Sequence, residues 1–338
     1  MTNNGAIRER PLFIVGFPRS GTTLLRALLG AHSCIRQINE PEIFRGLRSA
    51  GYGIGDSIPL PARASLLDRI EKIGPCQRHL QDVPTATLDR FLQDESDLTF
   101  KATYEMLLPK PTDVSIWGEK SLGNSFHVED IFSVYPDALI VHPVRDPRAT
   151  ILSYYNKRHS DPISLKRRSI RFFSYQSMRW SMWAGVTRQQ ARTAGRSLLM
   201  VRFEDLLKDP AGTLGGICDS LGVSFDPQML GIRHRQRDPV LDRPAAEWHK
   251  LLGEEIDPRR ASSGGQLPDW ARLLVERFSL EEMKLYGYIT SLPRPAWHER
   301  VRIDAELMLT RDSLHQRLEK ERANRLWSEP PAALESPS

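Results

Sequence analysis

Short, uninterrupted apolar runs alternate along this chain with stretches in which apolar residues recur every three or four positions. Leu12-Phe-Ile-Val15 has no polar interruption and reads as a strand buried on both faces. Thr22–Ala31 follows with Leu24, Leu25, Leu28 and Leu29 clustered at helical spacing. Val114–Trp117, Ala138–Val144 and Leu198–Phe203 predict three further buried strands, and helical patterns cover His127–Tyr135, Arg148–Lys157, Ser164–Thr193 and Glu204–Leu221. Strands alternating with helices predict an α/β fold with a mostly parallel central sheet. Between Gly46 and Lys110 two helical stretches lie among prolines and glycines, as in an insertion over one sheet edge. Beyond Pro293 and Pro295 the segment Trp297–Trp327 becomes highly charged, with Ile303, Leu307, Leu314 and Leu318 at helical spacing. Two readings stay open for it: a surface helix packed on the domain, or an arm through which two copies of the chain pair as a homodimer. The expected organisation is one domain over residues 1–290 with 46–110 inserted, a charged helix over 291–327, and a Pro/Ser-rich disordered tail over 328–338.

Composition removes several classes. With 338 residues, 40% hydrophobic and 26% charged, the chain is neither intrinsically disordered nor a disulfide miniprotein. A net charge of +5 is small for a nucleic-acid binder, and none is expected as a partner. The basicity is local: Pro162–Phe203 holds nine Lys/Arg and no Asp or Glu, so the rest of the chain is acidic on balance. This block is either a solvated helix face or a surface that steers anionic substrates. Three cysteines, Cys34, Cys76 and Cys218, lie far apart with no CxxC, which suits reduced thiols and a cytoplasmic protein. No stretch approaches eighteen apolar residues, so no membrane span is expected.

The chemistry concentrates at Ile14-Val-Gly-Phe-Pro-Arg-Ser-Gly-Thr-Thr-Leu-Leu25. A buried strand, two glycines five apart and an amphipathic helix form the layout of a phosphate loop, in which backbone N–H groups converge on an anion. The nucleoside triphosphate version, GxxxxGK[ST], carries a Lys where this chain has Thr22. Arg19 supplies the cation instead, and Ser20, Thr22 and Thr23 supply hydroxyls. Such a loop suits a single phosphate flanked by a less charged group. A lone GxxxxG would be no more than a tight turn; the dense Pro-Arg-Ser-Gly-Thr-Thr string outweighs that reading.

Phe17-Pro-Arg-Ser-Gly-Thr-Thr-Leu-Leu25 resembles the 5′-phosphosulfate loop of the sulfotransferases that use PAPS (3′-phosphoadenosine 5′-phosphosulfate), in the form found in tyrosylprotein and many bacterial enzymes. Val144-Arg-Asp-Pro-Arg-Ala-Thr-Ile-Leu-Ser153 resembles the family's 3′-phosphate motif, and Val201-Arg-Phe-Glu-Asp-Leu206 its (Tyr/Phe)-Glu-Asp-Leu strand end. Together these span about Pro11 to Leu221. The resemblance implies a P-loop nucleotide-binding fold, here with a C-terminal helical extension, and metal-free sulfuryl transfer from PAPS that leaves PAP.

By the same resemblance Arg19, Ser20, Gly21, Thr22 and Thr23 hold the 5′-phosphate, and Arg145 and Ser153 grip the 3′-phosphate. Phe203 stands where a Tyr is common. Glu40, in Asn39-Glu-Pro-Glu-Ile-Phe44, falls where tyrosylprotein-type enzymes place a catalytic Glu, with Glu42 as local competitor for the role of base. Lys120, in Trp117-Gly-Glu-Lys-Ser121 past a strand end, stabilises charge on the bridging oxygen together with Arg19. Cytosolic aryl and steroid enzymes carry a base His two residues after that Lys; here the position is Leu122, which favours Glu. His127 reads as a capping or surface residue, Arg148 as a solvent-facing neighbour of Arg145, and Asp146 as a helix cap or a partner for Arg145. Arg259-Arg-Ala-Ser-Ser-Gly-Gly-Gln-Leu-Pro-Asp-Trp270 resembles, with extra residues, a late loop that closes on the 3′-phosphate, which makes Arg260 a further contact. Phe172, Phe173, Tyr175, Trp180 and Trp183 read as helix core. The acceptor stays open among carbohydrate, glycolipid, metabolite and peptide, and it is expected against 46–110 and the long helix after Asp161. Two rivals make other demands: a P-loop kinase needs Mg-ATP and a Lys at position 22, and a non-catalytic scaffold should have lost the base or the phosphate grips.

Overall fold

The computed structural model describes residues 10–108, 114–231 and 266–326. Five strands, β1 (Leu12–Ile14), β2 (Ile35–Asn39), β5 (Ile116–Lys120), β6 (Leu139–Val144) and β7 (Leu199–Arg202), form one sheet in the order β2-β5-β1-β6-β7. Every neighbouring pair is parallel. Strand side chains alternate between faces, and β1 shows the result. Phe13 joins a core with Ile43, Phe44 and Tyr104 on one side, while Leu12 and Ile14 join Leu25, Leu28 and Ile217 on the other.

Helices cover both faces: α1 (Thr22–Leu29), α7 (Val128–Val134), α8 (Pro147–Arg158), α9 (Arg167–Thr193), α10 (Phe203–Lys208) and α11 (Pro210–Leu221). The stretch expected to be one helix from Glu204 is two, because Pro210 cannot donate within a helix and Asp209 caps the second segment through Gly212 N at 2.9 Å. The strand expected at Val114–Trp117 instead runs from Ile116 through Lys120, so Glu119 and Lys120 are strand residues with no more than 1% exposure.

The insertion is richer than two helices. It holds α2 (Ile43–Ser49), α3 (Arg63–Glu71), α4 (Gly74–Leu80), α5 (Thr85–Gln93) and α6 (Phe100–Leu107), with a small antiparallel pair of β3 (Ser57–Ile58) and β4 (Leu98–Thr99). Arg63, fully buried, ties these together by donating to the carbonyls of Ile58, Phe91, Asp94 and Ser96.

Two C-terminal helices, α12 (Asp269–Leu285) and α13 (Trp297–Leu326), pack along α9. Ile303 lies with Ile170, Phe173 and Trp270, and Leu314 and Leu318 lie against Tyr175. Their carboxylates answer much of the basic block on α9. Arg167 and Arg171 both pair with buried Glu306, at 2.7 and 2.5 Å, Arg179 pairs with Glu321 at 2.6 Å, and Arg188 pairs with Glu282. Four of the nine basic residues of the block are thus paired with carboxylates that lie 94 to 142 residues further along the chain. Among the described residues no helix is long and apolar enough to cross a membrane, and the three cysteines are free thiols.

Candidate active site

The candidate residues gather at the carboxyl ends of the parallel strands, where open α/β sheets bind ligands. The turn from β1 into α1 needs left-handed backbone at Arg19 (φ 73°) and Gly21 (φ 87°). Only glycine fits the second position, since a Cβ there would come within 2.2 Å of the Phe203 ring. Among the described residues no side chain caps α1, which leaves its first N–H groups available to an anion. The Ser20 hydroxyl is buried without a hydrogen-bond partner among the described residues. Gly16 N donates to Ser125 Oγ at 2.9 Å and anchors the loop's start.

The three sequence motifs meet around Arg19. Its Nε donates to Ser153 Oγ at 3.1 Å, and its carbonyl accepts from Arg145 Nη1 at 3.4 Å. The Arg145 guanidinium lies over the Phe203 ring, 4.6 Å from its centroid. Phe203 thus spans from the glycine of the first motif to the arginine of the second. Burial lowers the pKa of both guanidinium groups, in Arg145 against the opposing pull of Glu204 and Asp146. A phosphate fits that arrangement.

Lys120 is in register with Ile14 on one side and Asn39 on the other. Glu40 N donates to the Lys120 carbonyl at 2.8 Å, and Lys120 Nζ donates to Glu40 Oε1 at 2.5 Å. The ammonium is buried, whereas the carboxylate keeps 22% exposure. Burial pushes the Glu40 carboxyl up, but Lys120, aided by Arg78 and Arg26, holds it below the usual carboxylate value. Burial lowers Lys120 against the pull of Glu40.

The competing carboxylate is differently employed. Glu42 Oε1 accepts from Gly123 N at 2.9 Å, Oε2 accepts from Arg45 at 3.4 Å, and Glu42 N donates to Ser121 Oγ at 3.2 Å. A Cβ at position 123 would sit 2.1 Å from Glu42 Oε2, so a larger residue there would push this carboxylate aside. Glu42 holds α2 against the segment after β5; Glu40 is the carboxylate beside the buried ammonium.

Other expectations change. His127 is buried rather than on the surface, with Nδ1 3.2 Å from Asp130 Oδ2 and its ring near Phe44, because α7 turns its first residues into the core. Arg148 faces inward, donating to Asp146 and to buried Glu276 at 3.0 Å. Asp146 caps α8 through Arg148 N at 2.8 Å. The aromatic residues of α9 are core, yet Trp183 also meets Phe17 of the phosphate loop, centroids 5.7 Å apart. Arg260 lies outside the described residues.

Two site residues were not anticipated. Arg26, on α1 and fully buried, acts on both Glu40 and Lys120. Glu119 is fully buried one residue before Lys120 and accepts from Asn124 Nδ2 and from Ser121 Oγ at 3.2 Å. A charged residue inside an otherwise apolar strand was the available signal for the second; the sequence carries none for the first. Among the described residues no group of three or more His, Cys, Asp or Glu is arranged to hold a metal.

The turn after β1, the Arg19–Ser153 contact and the Lys120–Glu40 pair thus meet at the carboxyl ends of the strands of an α/β fold. The model of the sulfotransferase family matches residues 11–227, more than half of the chain, and the chain belongs to that family. A provisionally named protein-tyrosine sulfotransferase of Caenorhabditis briggsae is 23% identical over 74% of this chain and 72% of its own length. A Drosophila melanogaster protein-tyrosine sulfotransferase is 24% identical over 66% of this chain, but only 40% of its own length is covered. The sulfotransferase domain of the Synechococcus PCC 7002 olefin synthase shares the fold, with a TM-score of 0.58 at 23% identity over 83% of this chain and 96% of that domain. The sulfotransferase domain of the curacin biosynthetic pathway does so with a TM-score of 0.54 at 18% identity over 83% of this chain and 98% of that domain.

Proposed function

We propose that this sulfotransferase uses PAPS as donor and transfers its sulfuryl group to an acceptor hydroxyl, or less readily an amine, with Glu40 as general base. The observation that carries the reading is the Lys120–Glu40 pair, in register beside the strand that opens into the phosphate loop. The residues present fit the donor: the partnerless Ser20 hydroxyl and uncapped α1 suit its 5′-phosphate, and Arg145 with Ser153 suits its 3′-phosphate. When bound, PAPS supplies an electrophilic sulfur attached to a phosphate leaving group. Glu40 accepts the proton of the acceptor hydroxyl at its carboxylate. Lys120 and Arg19 bring positive charge to the leaving oxygen without reorganising, because burial in the sheet fixes Lys120 and the contacts with Ser153 and Arg145 fix Arg19. Sulfuryl transfer builds up less negative charge than phosphoryl transfer, so these cations serve without a metal.

The names of the curated relatives support a peptide tyrosine as one acceptor class, beside carbohydrate, glycolipid and metabolite hydroxyls. The free thiols support a cytoplasmic enzyme. The test is Glu40→Gln beside Glu42→Gln. The first should lower kcat by about 10²–10⁴-fold with PAP affinity intact. Full turnover in Glu40→Gln with none in Glu42→Gln would move the base to Glu42.

A further inference from the structure

The described surface carries nine exposed large hydrophobic side chains, and seven of them lie between Leu285 and Leu309. On α13 the exposures are 77% for Trp297, 60% for Val301, 85% for Met308 and 70% for Leu309. This is not the face that packs on the domain, which carries Ile303, Glu306, Thr310, Leu314 and Leu318. A helix with one apolar face already buried and a second one open is built to be covered twice. The segment also lies beyond residues 11–227, the part matched to the family, so neither the phosphate loop nor the Glu40–Lys120 pair accounts for it.

The open face has the spacing of a coiled-coil seam. His298, Val301, Ala305, Met308 and Asp312 follow one another at alternating intervals of three and four residues. Small Ala305 at the middle lets a second helix approach closely. The charges beside the seam then decide the occupant. Arg300, Arg302 and Arg311 are interspersed with Glu299, Asp304 and Asp312, so the face has no excess of positive charge for an anionic lipid surface. Asp304 and Arg311 are one heptad apart and flank the same side of the seam. An antiparallel two-fold brings like sides together, which sets Asp304 opposite the partner's Arg311 and Arg311 opposite the partner's Asp304. The same register sets Ala305 against the partner's Met308. Asp304 already meets Arg277 of its own chain at 3.6 Å, so its carboxylate is oriented before a partner arrives.

We infer that the open face of α13 binds a second copy of this chain, forming an antiparallel two-fold dimer that crosses near Ala305 and Met308. The charge pattern of the face is self-complementary, as a two-fold contact demands.

Sedimentation equilibrium of the full chain from about 1 to about 100 μM tests this. The wild type should approach twice the 38.5 kDa chain mass as concentration rises. Ala305→Glu and Met308→Glu, both at exposed positions, should each raise the dimer dissociation constant about tenfold or more while leaving the melting temperature at low concentration and PAP binding unchanged. Arg311→Asp should weaken the dimer, and the exchange Asp304→Arg with Arg311→Asp should restore it to within about threefold of wild type. A monomer throughout the range overturns the inference, as does a dimer that survives both Glu substitutions. Failure of the exchange to restore pairing overturns the antiparallel arrangement, and a monomer that floats with phosphatidylserine-containing vesicles would assign the face to a membrane surface.

Discussion

Glu119→Gln isolates the most unusual charge in the site. The carboxyl is fully buried, and burial pushes its pKa up to about 8, against the hydrogen bonds from Asn124 and Ser121 and with help from the Glu42 carboxylate. In the unfolded chain the same group loses its proton near the ordinary value of about 4.3. Between those pH values the folded protein holds a proton that the unfolded chain has released, so stability falls as pH rises through the window. The contribution is fully present below about pH 4.3, declines by about 1.4 kcal/mol per pH unit, and has vanished above about pH 8, a total of about 5 kcal/mol. Glutamine mimics the protonated acid: its carbonyl can accept from Asn124 and its amide can donate to Ser121. Urea unfolding of both proteins at intervals from pH 5 to 9 gives the difference directly. The advantage of Glu119→Gln over wild type should grow by about 4 kcal/mol from pH 5 to 8 and then level off. Parallel curves over that interval would show Glu119 ionised in the folded protein and would refute the reasoning.

Three further outcomes follow from the same geometry. Because Lys120 holds Glu40 below the usual carboxylate value, kcat/KM should stay level as pH falls to about 5, whereas an inflection near about 6.5 would assign the base to a histidine. Arg145→Ala removes the guanidinium stacked on Phe203 and should weaken PAP binding about tenfold or more with little change in kcat; unchanged affinity in a calorimetric titration would remove Arg145 from the phosphate pocket. Glu321→Ala leaves the Arg179 side chain, 10% exposed, without the carboxylate that it meets at 2.6 and 2.8 Å, and should cost about 3–5 kcal/mol in chemical denaturation; a loss under about 1 kcal/mol would mean that this pair does not anchor α13.

The alternation of apolar runs and helical spacings was enough to read the parallel α/β architecture, because strands buried on both faces leave uninterrupted hydrophobic segments. It failed where polar residues enter the sheet. β2 offers only Ile35 and Ile38 as apolar residues, and β5 carries Gly118-Glu-Lys120 at its end, so one reads as a short extended run and the other as stopping too early. Those polar strand ends are where the site is, and the pattern breaks where the chemistry sits. Arg19, Arg145, Ser153 and Phe203 lie together in the structure, but motif spacing gives no sign that Arg19 bonds Ser153 directly. The different surroundings of Glu40 and Glu42 are not legible in one turn of sequence, since it is the register of β2 with β5 that sets Glu40 beside Lys120. The pairing of four α9 arginines is not legible in a window of forty-odd residues, because the carboxylates come from α12 and α13.

The central claim, a site built for PAPS rather than for a nucleoside triphosphate, rests on Thr22 in place of the lysine and on Arg145 and Ser153 gathered at Arg19. Calorimetric titration of the protein with PAP and with ATP, each with and without magnesium, tests it directly. PAP should bind tightly and independently of magnesium, with ATP at least about a hundredfold weaker. Tight, magnesium-dependent ATP binding with no detectable PAP binding would contradict it.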